Sequence, residues 1–406
     1  MGNEKRVSSC FEPAPVGPLG LLALPGCTDL AEKVSGYLDH WREETNDAHD
    51  LLYTTPAHQK TTSLIEVKCP RFSNGEGKAV ITDSVRGYDV FLFCDVGNFS
   101  QTYKLYNMQV PMSPDDHYQN LKRTISAIGG KARRITVIMP MLYEGRQHRR
   151  SMRESLDSAM ALQELVSLGV SNIVTFDAHD PRIVNAVPFI GFENILPTYQ
   201  MLKALLRDQK DLKIDKEHMM IISPDEGAMD RNIYYSTVLG LELGMFYKRR
   251  DFTTVVNGRN PIIAHEFIGS NVEGKDIIVV DDMISSGDSI LDVAKELKKR
   301  KAGRIFLLST FGLFTSGFEV FDKAYEEGLF TRVLSTNLTY SQPELLSKEW
   351  FVQVDCSKYL AYIIATLNHD SPVNSLLDPL SKIKTLLENY PNKLPESQHP
   401  GVQMNL

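Results

Sequence analysis

Two adjacent carboxylates, Asp281 and Asp282, stand between an apolar run and a short polar turn. The apolar run, 277–280, has the composition of a buried strand, and a helical pattern begins just after the turn. Amide groups at a helix N-terminus bind phosphate through hydrogen bonds and the helix dipole, and paired carboxylates can accept hydrogen bonds from vicinal hydroxyls. The pattern predicts a ribose phosphate site made by Asp281, Asp282, Ser285, Ser286, Gly287 and Ser289. The alternative is an ordinary strand end followed by a capped helix.

A loop rich in arginine follows a second β-rich run. Arg146, Arg149, Arg150 and Arg153 lie within the eight residues 146–153. Guanidinium groups hold phosphate oxygens in pairs, and open α/β sheets bind ligands where their parallel strands end. The loop therefore predicts a polyphosphate site, although a solvated basic loop fits the same composition.

Two other strand ends carry possible metal ligands. His179 lies between Asp177 and Asp180 after one β-rich run, and Asp225 follows another. Mg²⁺ prefers oxygen ligands and is commonly bound by carboxylates together with substrate phosphates. We therefore expect His179 and Asp225 to help hold a magnesium ion. The alternative for His179 is a purely structural histidine.

A cluster of cations ends a further β-rich run. Lys248, Arg249 and Arg250 follow one another there. Successive residues of a strand point to opposite faces of the sheet, so at least one of these cations can reach the ligand-binding edge. The alternative is a basic strand end that serves solubility.

The elements that must position these residues form an alternating pattern. From Leu64 onward, short β-rich runs alternate with amphipathic helical segments, which is typical of βαβ units and of a parallel sheet with helices on both faces. The pattern recurs after about residue 195, while residues 98–114 lack a clear period. We therefore predict an α/β fold with an N-terminal domain (1–195), a C-terminal domain (196–380) and a mobile tail (381–406).

Composition narrows the classes of protein that fit. The 406 residues carry 44 Lys and Arg against 51 Asp and Glu, a net charge of −7, which gives no general attraction to nucleic acid or to an anionic membrane. Five scattered cysteines indicate neither a zinc site nor a disulfide framework, so we expect a cytoplasmic protein. Prolines precede the apolar run 19–24, which therefore does not fit an export signal. No membrane span is expected, because no apolar run approaches about 20 residues.

In order and spacing, these segments resemble the ribose-phosphate pyrophosphokinase family, whose members are also called phosphoribosyl pyrophosphate synthetases. The similarity spans about residues 21–377. Residues 71–76 resemble the adenine-binding loop of the family, and residues 145–149 resemble its nucleotide-binding arginine loop. Residues 177–179 are similar to its magnesium-associated triplet, and 280–284 to the start of its ribose 5-phosphate site. The resemblance implies two tandem phosphoribosyltransferase-like domains, each a mainly parallel sheet flanked by helices.

The resemblance also implies a reaction and a role for each site residue. The reaction transfers the diphosphoryl group of ATP to the C1 hydroxyl of ribose 5-phosphate, giving AMP and 5-phosphoribosyl 1-diphosphate, with Mg²⁺ as cofactor. The implied ATP-binding residues are Phe72, Asn74, Glu76, Arg146, Gln147 and His179. The implied catalytic cations are Lys248, Arg250 and Arg146, and the implied metal ligands are His179 and Asp225. We expect a homo-oligomer whose active site is shared between subunits, with neither nucleic acid nor membrane as a partner.

The chain departs from the family pattern in the turn after the paired carboxylates. The family usually has Asp-Thr-(Ala/Gly)-Gly-Thr there, whereas this chain has Ser285-Ser286-Gly287-Asp288-Ser289. The carboxylate of Asp288 would repel a bound phosphate unless it turns away. Residues 369–377 lack the serine pair of the family's closing segment, which bears on regulation by phosphate and ADP. Two alternatives stay open: a non-catalytic regulatory subunit of the same fold, and a phosphoribosyltransferase, which would need only one α/β domain.

Overall fold

The computed structural model describes residues 14–46, 62–150, 152–250 and 262–390. They form two α/β units, each built on one large sheet. The strands of the first unit are β1 (Leu19–Ala23), β2 (Leu64–Ile65), β3 (Val67–Lys68), β4 (Val80–Ile81), β5 (Asp89–Phe93), β6 (Thr102–Leu105), β7 (Met108–Pro111), β8 (Arg134–Ile138), β9 (Asn172–Phe176) and β10 (Gly191–Ile195). Its helices are α1 (Thr28–Asn46), α2 (Pro114–Ile128) and α3 (Asp157–Ser167), with a 3₁₀ helix at Pro181–Ala186.

The large sheet of the first unit has six parallel strands in the order β10-β9-β8-β5-β1-β2. The apolar run 19–24 supplies β1, which pairs with β5 over its whole length. Leu21 and Leu22 point to opposite faces, and both are fully buried. A strand that is covered on both faces consists almost entirely of apolar residues. This explains why apolar and polar residues do not alternate in this segment.

The second unit begins at the connection after β10. Its helices are α4 (Thr198–Asp208), α5 (Met229–Leu239), α6 (Asp288–Lys299), α7 (Glu319–Glu326), α8 (Pro343–Leu346), α9 (Ser357–Asn368), α10 (Asn374–Leu377) and α11 (Leu380–Glu388). Its strands are β11 (Met219–Ser223), β12 (Glu242–Arg250), β13 (Ile262–Ile268), β14 (Asp276–Ile284), β15 (Ile305–Gly312), β16 (Arg332–Thr336) and β17 (Phe351–Val354).

The sheet of the second unit has seven strands in the order β13-β12-β11-β14-β15-β16-β17. All neighbouring strands are parallel except β13, which runs antiparallel to β12 at the edge. Helix α6 packs on this sheet through apolar residues spaced three and four apart, including Ile290, Ala294 and Leu297. The predicted α/β fold with mainly parallel sheets flanked by helices is confirmed.

Residues 98–114 differ from the sequence expectation, because they contain an antiparallel hairpin of β6 and β7. The two turn residues, Tyr106 and Asn107, both have positive φ, 45° and 62°. This is the geometry of a tight type I′ hairpin, which usually contains glycine. The turn contains no glycine, and the two short strands contain no buried residue, which explains why the sequence pattern did not indicate a hairpin.

The expected mobile tail also differs from the structure over its first part. Residues 380–388 form α11, in which Ile383 and Leu387 lie four positions apart and are both buried. The helix packs on α4 and α5. The expectation of a mobile segment was wrong for residues 381–388, because it was based on the three prolines that follow them. Residues 391–406 lie outside the described residues.

The end of the second unit folds back onto the first. In β8, Arg134 pairs with Asp89 at 2.7 Å and with Asp370 at 2.5 Å, and it donates to the carbonyl oxygen of Leu367. Helix α9 packs on α1, where the rings of Trp41 and Tyr362 stack with centroids 4.5 Å apart. One buried apolar cluster contains side chains from both units. Among the helices in the described ranges, none is both long and apolar enough to cross a bilayer.

Candidate active site

A cavity of about 590 Å³ lies where strands of both sheets end. The predicted site residues that line it are Arg146, His179, Asp225, Asp281, Asp282, Ser285, Ser286, Gly287 and Ser289. They come from segments that follow or end β8, β9, β11 and β14. The carboxyl ends of parallel strands meet at one edge of a sheet, so residues far apart in the chain come together here.

A smaller cavity of about 210 Å³ adjoins the first and shares residues with it. Both are lined by Arg146, His179, Met283 and Ser285. The guanidinium of Arg146 contacts the sulfur of Met283, the residue after the paired carboxylates. The arginine loop of the first unit therefore reaches across to strand β14 of the second.

His179 and Asp282 form a direct contact between the two units. The His179 Nδ1 atom lies 2.7 Å from Oδ2 of Asp282, a residue 103 positions later. The hydrogen bond to Asp282 raises the pKa of His179 above its usual value, although burial opposes the shift. With Nδ1 held by a carboxylate, Nε2 is the ring nitrogen that can face a ligand or metal, an arrangement common among metal-binding histidines.

The paired carboxylates have opposite electrostatic environments. Burial and the charge of Asp282 raise the pKa of Asp281 well above its usual range. Burial also raises the pKa of Asp282, but the hydrogen bond from His179 and the charge of Arg231 lower it further, so the net shift is downward. The pair therefore favours a single negative charge, on Asp282, over two charged carboxylates. Such a pair can both donate and accept hydrogen bonds, which suits vicinal hydroxyl groups.

Arg231 connects the site to the strand end of the first unit, and the sequence analysis assigned it no role. Its Nε lies 2.8 Å and its Nη2 2.7 Å from Oδ1 of Asp177. Thr310 donates a further hydrogen bond of 2.6 Å to Oδ2 of Asp177, and Arg231 Nη1 lies 4.0 Å from Asp281. In the sequence, the contact of Arg231 with the site is indicated only by its position six residues after Asp225, which places it in the first turn of α5.

Asp177 itself has an unusual backbone conformation. Its φ is 42°, in the left-handed region that non-glycine residues seldom adopt. The residue is buried, and its carboxylate is held by Arg231 and Thr310. These contacts stabilise the strained turn that presents His179 to the cavity two residues later.

The turn before α6 has the geometry expected of a phosphate site. Gly287 has a φ of 96°, and a Cβ there would lie 2.3 Å from the ring of Phe321, so the position requires glycine. Helix α6 starts at Asp288, and Ser289 and Ile290 of its first turn line the cavity together with Ser285 and Ser286. The Asp288 carboxylate accepts a hydrogen bond of 2.9 Å from the Ser286 hydroxyl. Asp288 does not line the cavity itself, but its carboxylate lies within hydrogen-bond distance of Ser286, which does.

The fit of these residues to Mg²⁺ can be judged from their donor atoms. Within the described parts of the chain, no group of three or more His, Cys, Asp or Glu side chains could hold a metal ion by itself. Asp225 Oδ1 accepts hydrogen bonds from the amides of Gly227 and Ala228, at 3.0 and 3.2 Å. Mg²⁺ is usually bound through one or two carboxylates together with water and substrate phosphates. Asp225 and His179 could supply part of such a coordination shell, but they could not coordinate Mg²⁺ without water or substrate oxygens.

Four predicted site residues in the described part of the first unit do not line the cavity. Phe72, Asn74 and Glu76 form a tight turn, in which Phe72 N donates to Glu76 O at 2.7 Å and Asn74 Nδ2 donates to Glu76 Oε2 at 2.9 Å. Phe72 is 54% exposed. Gln147 is exposed and also lies outside the cavity lining. The backbone of Lys248 and Arg250 ends β12, but their side chains lie outside the described part of the structure.

Three family models match the chain, the second and third over partly overlapping residues. Residues 19–169 match the N-terminal domain of ribose phosphate pyrophosphokinase. Residues 193–312 match the phosphoribosyl transferase domain, and residues 253–377 match the phosphoribosyl synthetase-associated domain. The three matches together extend over most of the described chain.

Individual relatives agree with the family matches. The ribose-phosphate pyrophosphokinase of Mycoplasma pneumoniae is 30% identical over 271 residues, which cover 66% of this chain and 74% of the relative. That of Vibrio cholerae is 27% identical over 321 residues, which cover 78% of this chain and 92% of the relative. The crystal structure of phosphoribosylpyrophosphate synthetase from Mycobacterium smegmatis has a similar fold, with a TM-score of 0.66 and 20% identity, over 87% of this chain and 99% of that chain.

Proposed function

The chain belongs to the ribose-phosphate pyrophosphokinase family, and from this premise we propose that its 590 Å³ cavity is the catalytic site. The reaction transfers the diphosphoryl group of ATP to the C1 hydroxyl of ribose 5-phosphate and gives AMP and 5-phosphoribosyl 1-diphosphate. The observation that carries the proposal is the convergence of paired carboxylates, a phosphate-type turn and the arginine loop on one cavity. Phosphoryl transfer requires mainly positioning and charge stabilisation from a protein, and this set of residues can supply both.

Ribose 5-phosphate occupies the side of the cavity formed by β14 and α6. The amides and hydroxyls of Ser285, Ser286, Gly287 and Ser289 bind the 5-phosphate at the start of α6. Asp281 and Asp282 bind the two ring hydroxyls, and their single shared charge limits repulsion of the substrate phosphate. The C1 hydroxyl is thereby directed toward the arginine loop.

The triphosphate of ATP occupies the side formed by the arginine loop and the ends of β9 and β11. Arg146 binds the phosphate oxygens, with Gln147 beside it in the loop. Asp225 and His179 would hold Mg²⁺, which would supply neutralisation of negative charge on the transferred group. Lys248 and Arg250 complete the catalytic cations. These groups stabilise charge that develops in the transition state, and no strong base is required.

The test of this function is direct. Purified protein is incubated with ATP, Mg²⁺ and ribose 5-phosphate, and AMP and 5-phosphoribosyl 1-diphosphate are measured by chromatography. We expect both products in equal amounts. A regulatory subunit would form neither product, and a phosphoribosyltransferase would instead consume 5-phosphoribosyl 1-diphosphate in the presence of a base.

The adenine loop supports a site shared between two subunits. Phe72 is an exposed ring on the first unit, and its loop contributes nothing to the lining of the cavity in its own chain. We propose that the loop of residues 71–76 binds the adenine of ATP held in the cavity of a second copy. Aromatic stacking on a base contributes about 1–3 kcal/mol to binding. The exposed ring of Phe72 could therefore strengthen ATP binding in the cavity of a neighbouring subunit.

Mixing two defective variants tests the shared site. Phe72→Ala lacks the stacking ring and Asp282→Ala lacks a ribose-binding carboxylate, so each alone should be nearly inactive at an ATP concentration near the wild-type KM. After the two are unfolded and refolded together at equal amounts, about a quarter of the sites should combine an intact loop with an intact cavity. Activity should rise accordingly. Activity equal to the sum of the separately refolded variants would mean that each chain uses its own loop.

Asp288 should weaken the binding of ribose 5-phosphate. Asp288→Asn keeps an acceptor for the Ser286 hydroxyl but removes a negative charge beside the phosphate site. We expect the KM for ribose 5-phosphate to fall about two- to fivefold, the effect of one charge near a helix N-terminus. Asp292→Asn, one turn further along α6 and exposed, is the matched control and should leave the KM unchanged. An unchanged KM in Asp288→Asn would show that the carboxylate is too distant to act.

The cytoplasmic location belongs to the same proposal. Cys27, Cys69, Cys94 and Cys356 are the cysteines within the described ranges, and all are free thiols. Free, largely buried thiols are typical of proteins in a reducing compartment. No site for nucleic acid or membrane is part of the proposal.

A further inference from the structure

The hairpin of β6 and β7 lies against the loop of residues 71–76. The amide of Tyr106, at the tip of the hairpin, donates a hydrogen bond of 3.3 Å to the carbonyl oxygen of Ser73 in the loop. A second contact joins Leu105 to the loop, since a Cβ built on Gly75 would lie 2.8 Å from Cδ1 of Leu105. The hairpin therefore contacts the loop through both its backbone and its side chains.

The side chains of β6 alternate in burial. Tyr103 and Leu105 are half-buried, whereas Thr102 and Lys104 are exposed. Successive side chains of a strand point to opposite faces, so the half-buried pair shares the face that meets the loop. The exposed pair lies on the opposite face of the hairpin.

Arg71, the first residue of the loop, joins it to the hairpin. Its guanidinium carbon lies 4.7 Å from the centroid of the Tyr103 ring. Its Nη1 donates a hydrogen bond of 3.2 Å to the carbonyl oxygen of Gly75, and its Nη2 lies 3.2 Å from Oδ1 of Asp116 in α2. The side chain of Arg71 is only 9% exposed, and the attraction between a cation and an aromatic ring is stronger where water is excluded. The ring of Tyr103 therefore helps to hold the guanidinium that closes the loop.

The small sheet that carries the loop is too short to hold it firmly by itself. Its strands, β3 and β4, have two residues each. An isolated two-stranded hairpin is at best marginally stable in water, so the position of the loop at its end depends on contacts with other elements. The β6–β7 hairpin supplies such contacts at Arg71, Ser73 and Gly75.

We propose that the β6–β7 hairpin positions the loop of residues 71–76 for the base of ATP, with Tyr103 and Leu105 as its positioning residues. The inference rests on the proposed function, in which this loop binds the adenine of ATP held in the cavity of a second copy. A loop that is already held in place loses less conformational freedom when it binds a ligand, so the hairpin increases the affinity for the base. Neither Tyr103 nor Leu105 lines the catalytic cavity of its own chain. Their effect is therefore on the base, and not on the triphosphate.

Direct binding of ATP tests this role without any need for turnover. ATP binding to the full chain is measured by equilibrium dialysis with Mg²⁺ and without ribose 5-phosphate. Tyr103→Ala/Leu105→Ala should raise the Kd for ATP about tenfold, because a displaced loop loses part of its stacking on the base. Tyr103→Phe keeps a ring against Arg71 and should bind ATP within about twofold of wild type. Inorganic tripolyphosphate, which lacks the base, should bind the double variant as tightly as it binds wild type.

The matched control changes the opposite face of the same strand. Thr102→Ala/Lys104→Ala replaces two exposed side chains of β6, and it should leave the Kd for ATP unchanged. An unchanged Kd for ATP in Tyr103→Ala/Leu105→Ala overturns the inference. Equal losses of ATP and tripolyphosphate binding in that variant also overturn it, because the hairpin would then support the fold in general and not the base-binding loop.

The same measurements separate this inference from the catalytic assignment. If wild type forms AMP and the Tyr103→Ala/Leu105→Ala variant binds ATP normally, the proposed reaction stands and the positioning role is wrong. If wild type forms no AMP but the variant selectively loses ATP binding, the proposed reaction is wrong and the positioning role stands. Wild-type protein that binds no ATP would overturn both.

Discussion

Arg231→Met should lower the free energy of unfolding by about 3–5 kcal/mol, the usual cost of leaving one member of a buried ion pair without its partner. Arg231 is 11% exposed and Asp177 is 5% exposed by side chain. Burial lowers the pKa of Arg231, but the charge of Asp177 raises it more, so the net shift is upward. Removing the guanidinium leaves the Asp177 carboxylate buried with only Thr310 as a side-chain donor among the described contacts. Urea unfolding followed by circular dichroism measures the change.

Two further variants make this prediction specific. Arg231→Met/Asp177→Asn removes both charges, and it should be more stable than Arg231→Met alone, because no uncompensated charge remains. Lys68→Met removes a lysine that pairs with Glu66, and both side chains are more than half exposed, so it should leave the unfolding midpoint almost unchanged. Equal midpoints for Arg231→Met and Lys68→Met would contradict the structural role of the Arg231 to Asp177 pair.

Arg146→Ala should lower kcat by about a hundredfold or more, with a smaller change in the KM for ATP. Arg146 is the one arginine of its loop that lines both the 590 Å³ and the 210 Å³ cavity. If its guanidinium stabilises charge that develops on the transferred group, its interaction is strongest in the transition state and its loss appears mainly in kcat. Steady-state rates of AMP formation at varied ATP give both constants.

The same loop offers a matched control for Arg146. Arg150 lies four residues later, is exposed and lines neither cavity. Arg150→Ala should retain a kcat within about twofold of wild type, because it removes the same charge from the loop without touching the substrate. Similar losses in both variants would mean that the loop acts through its overall charge, and the specific role of Arg146 would be abandoned.

The local chemistry of the candidate site was readable from the sequence. Asp281 and Asp282 lie in the second half of the buried strand β14, Gly287 permits the positive φ of the turn, and Arg146, His179 and Asp225 each follow a β-rich run. Because parallel strands present their carboxyl ends at one edge, these motifs could be expected to meet, and the structure places them in one cavity. Residue type and spacing were sufficient to predict these site residues, because each motif consists of a few consecutive residues.

The side-chain contacts between these motifs could not be predicted from the sequence. His179 meets Asp282 across 103 residues, and Asp177 meets Arg231 and Thr310 across 54 and 133. Such contacts depend on which strand ends become neighbours and on the angle between the two units. A single sequence holds no periodic signal for either, so the opposite pKa shifts of Asp281 and Asp282 could not be predicted.

By itself, the sequence determined the α/β architecture and the chemistry carried at each strand end, because hydrophobic periodicity and short polar turns are local properties. Only the tertiary structure determined that Arg231 pairs with Asp177 at the site and that Phe72 lies outside the cavity of its own chain. The physical reason is the same for both. Burial, ion pairing and cavity shape are properties of surfaces brought together from distant parts of the chain, and they exist only once those surfaces have packed.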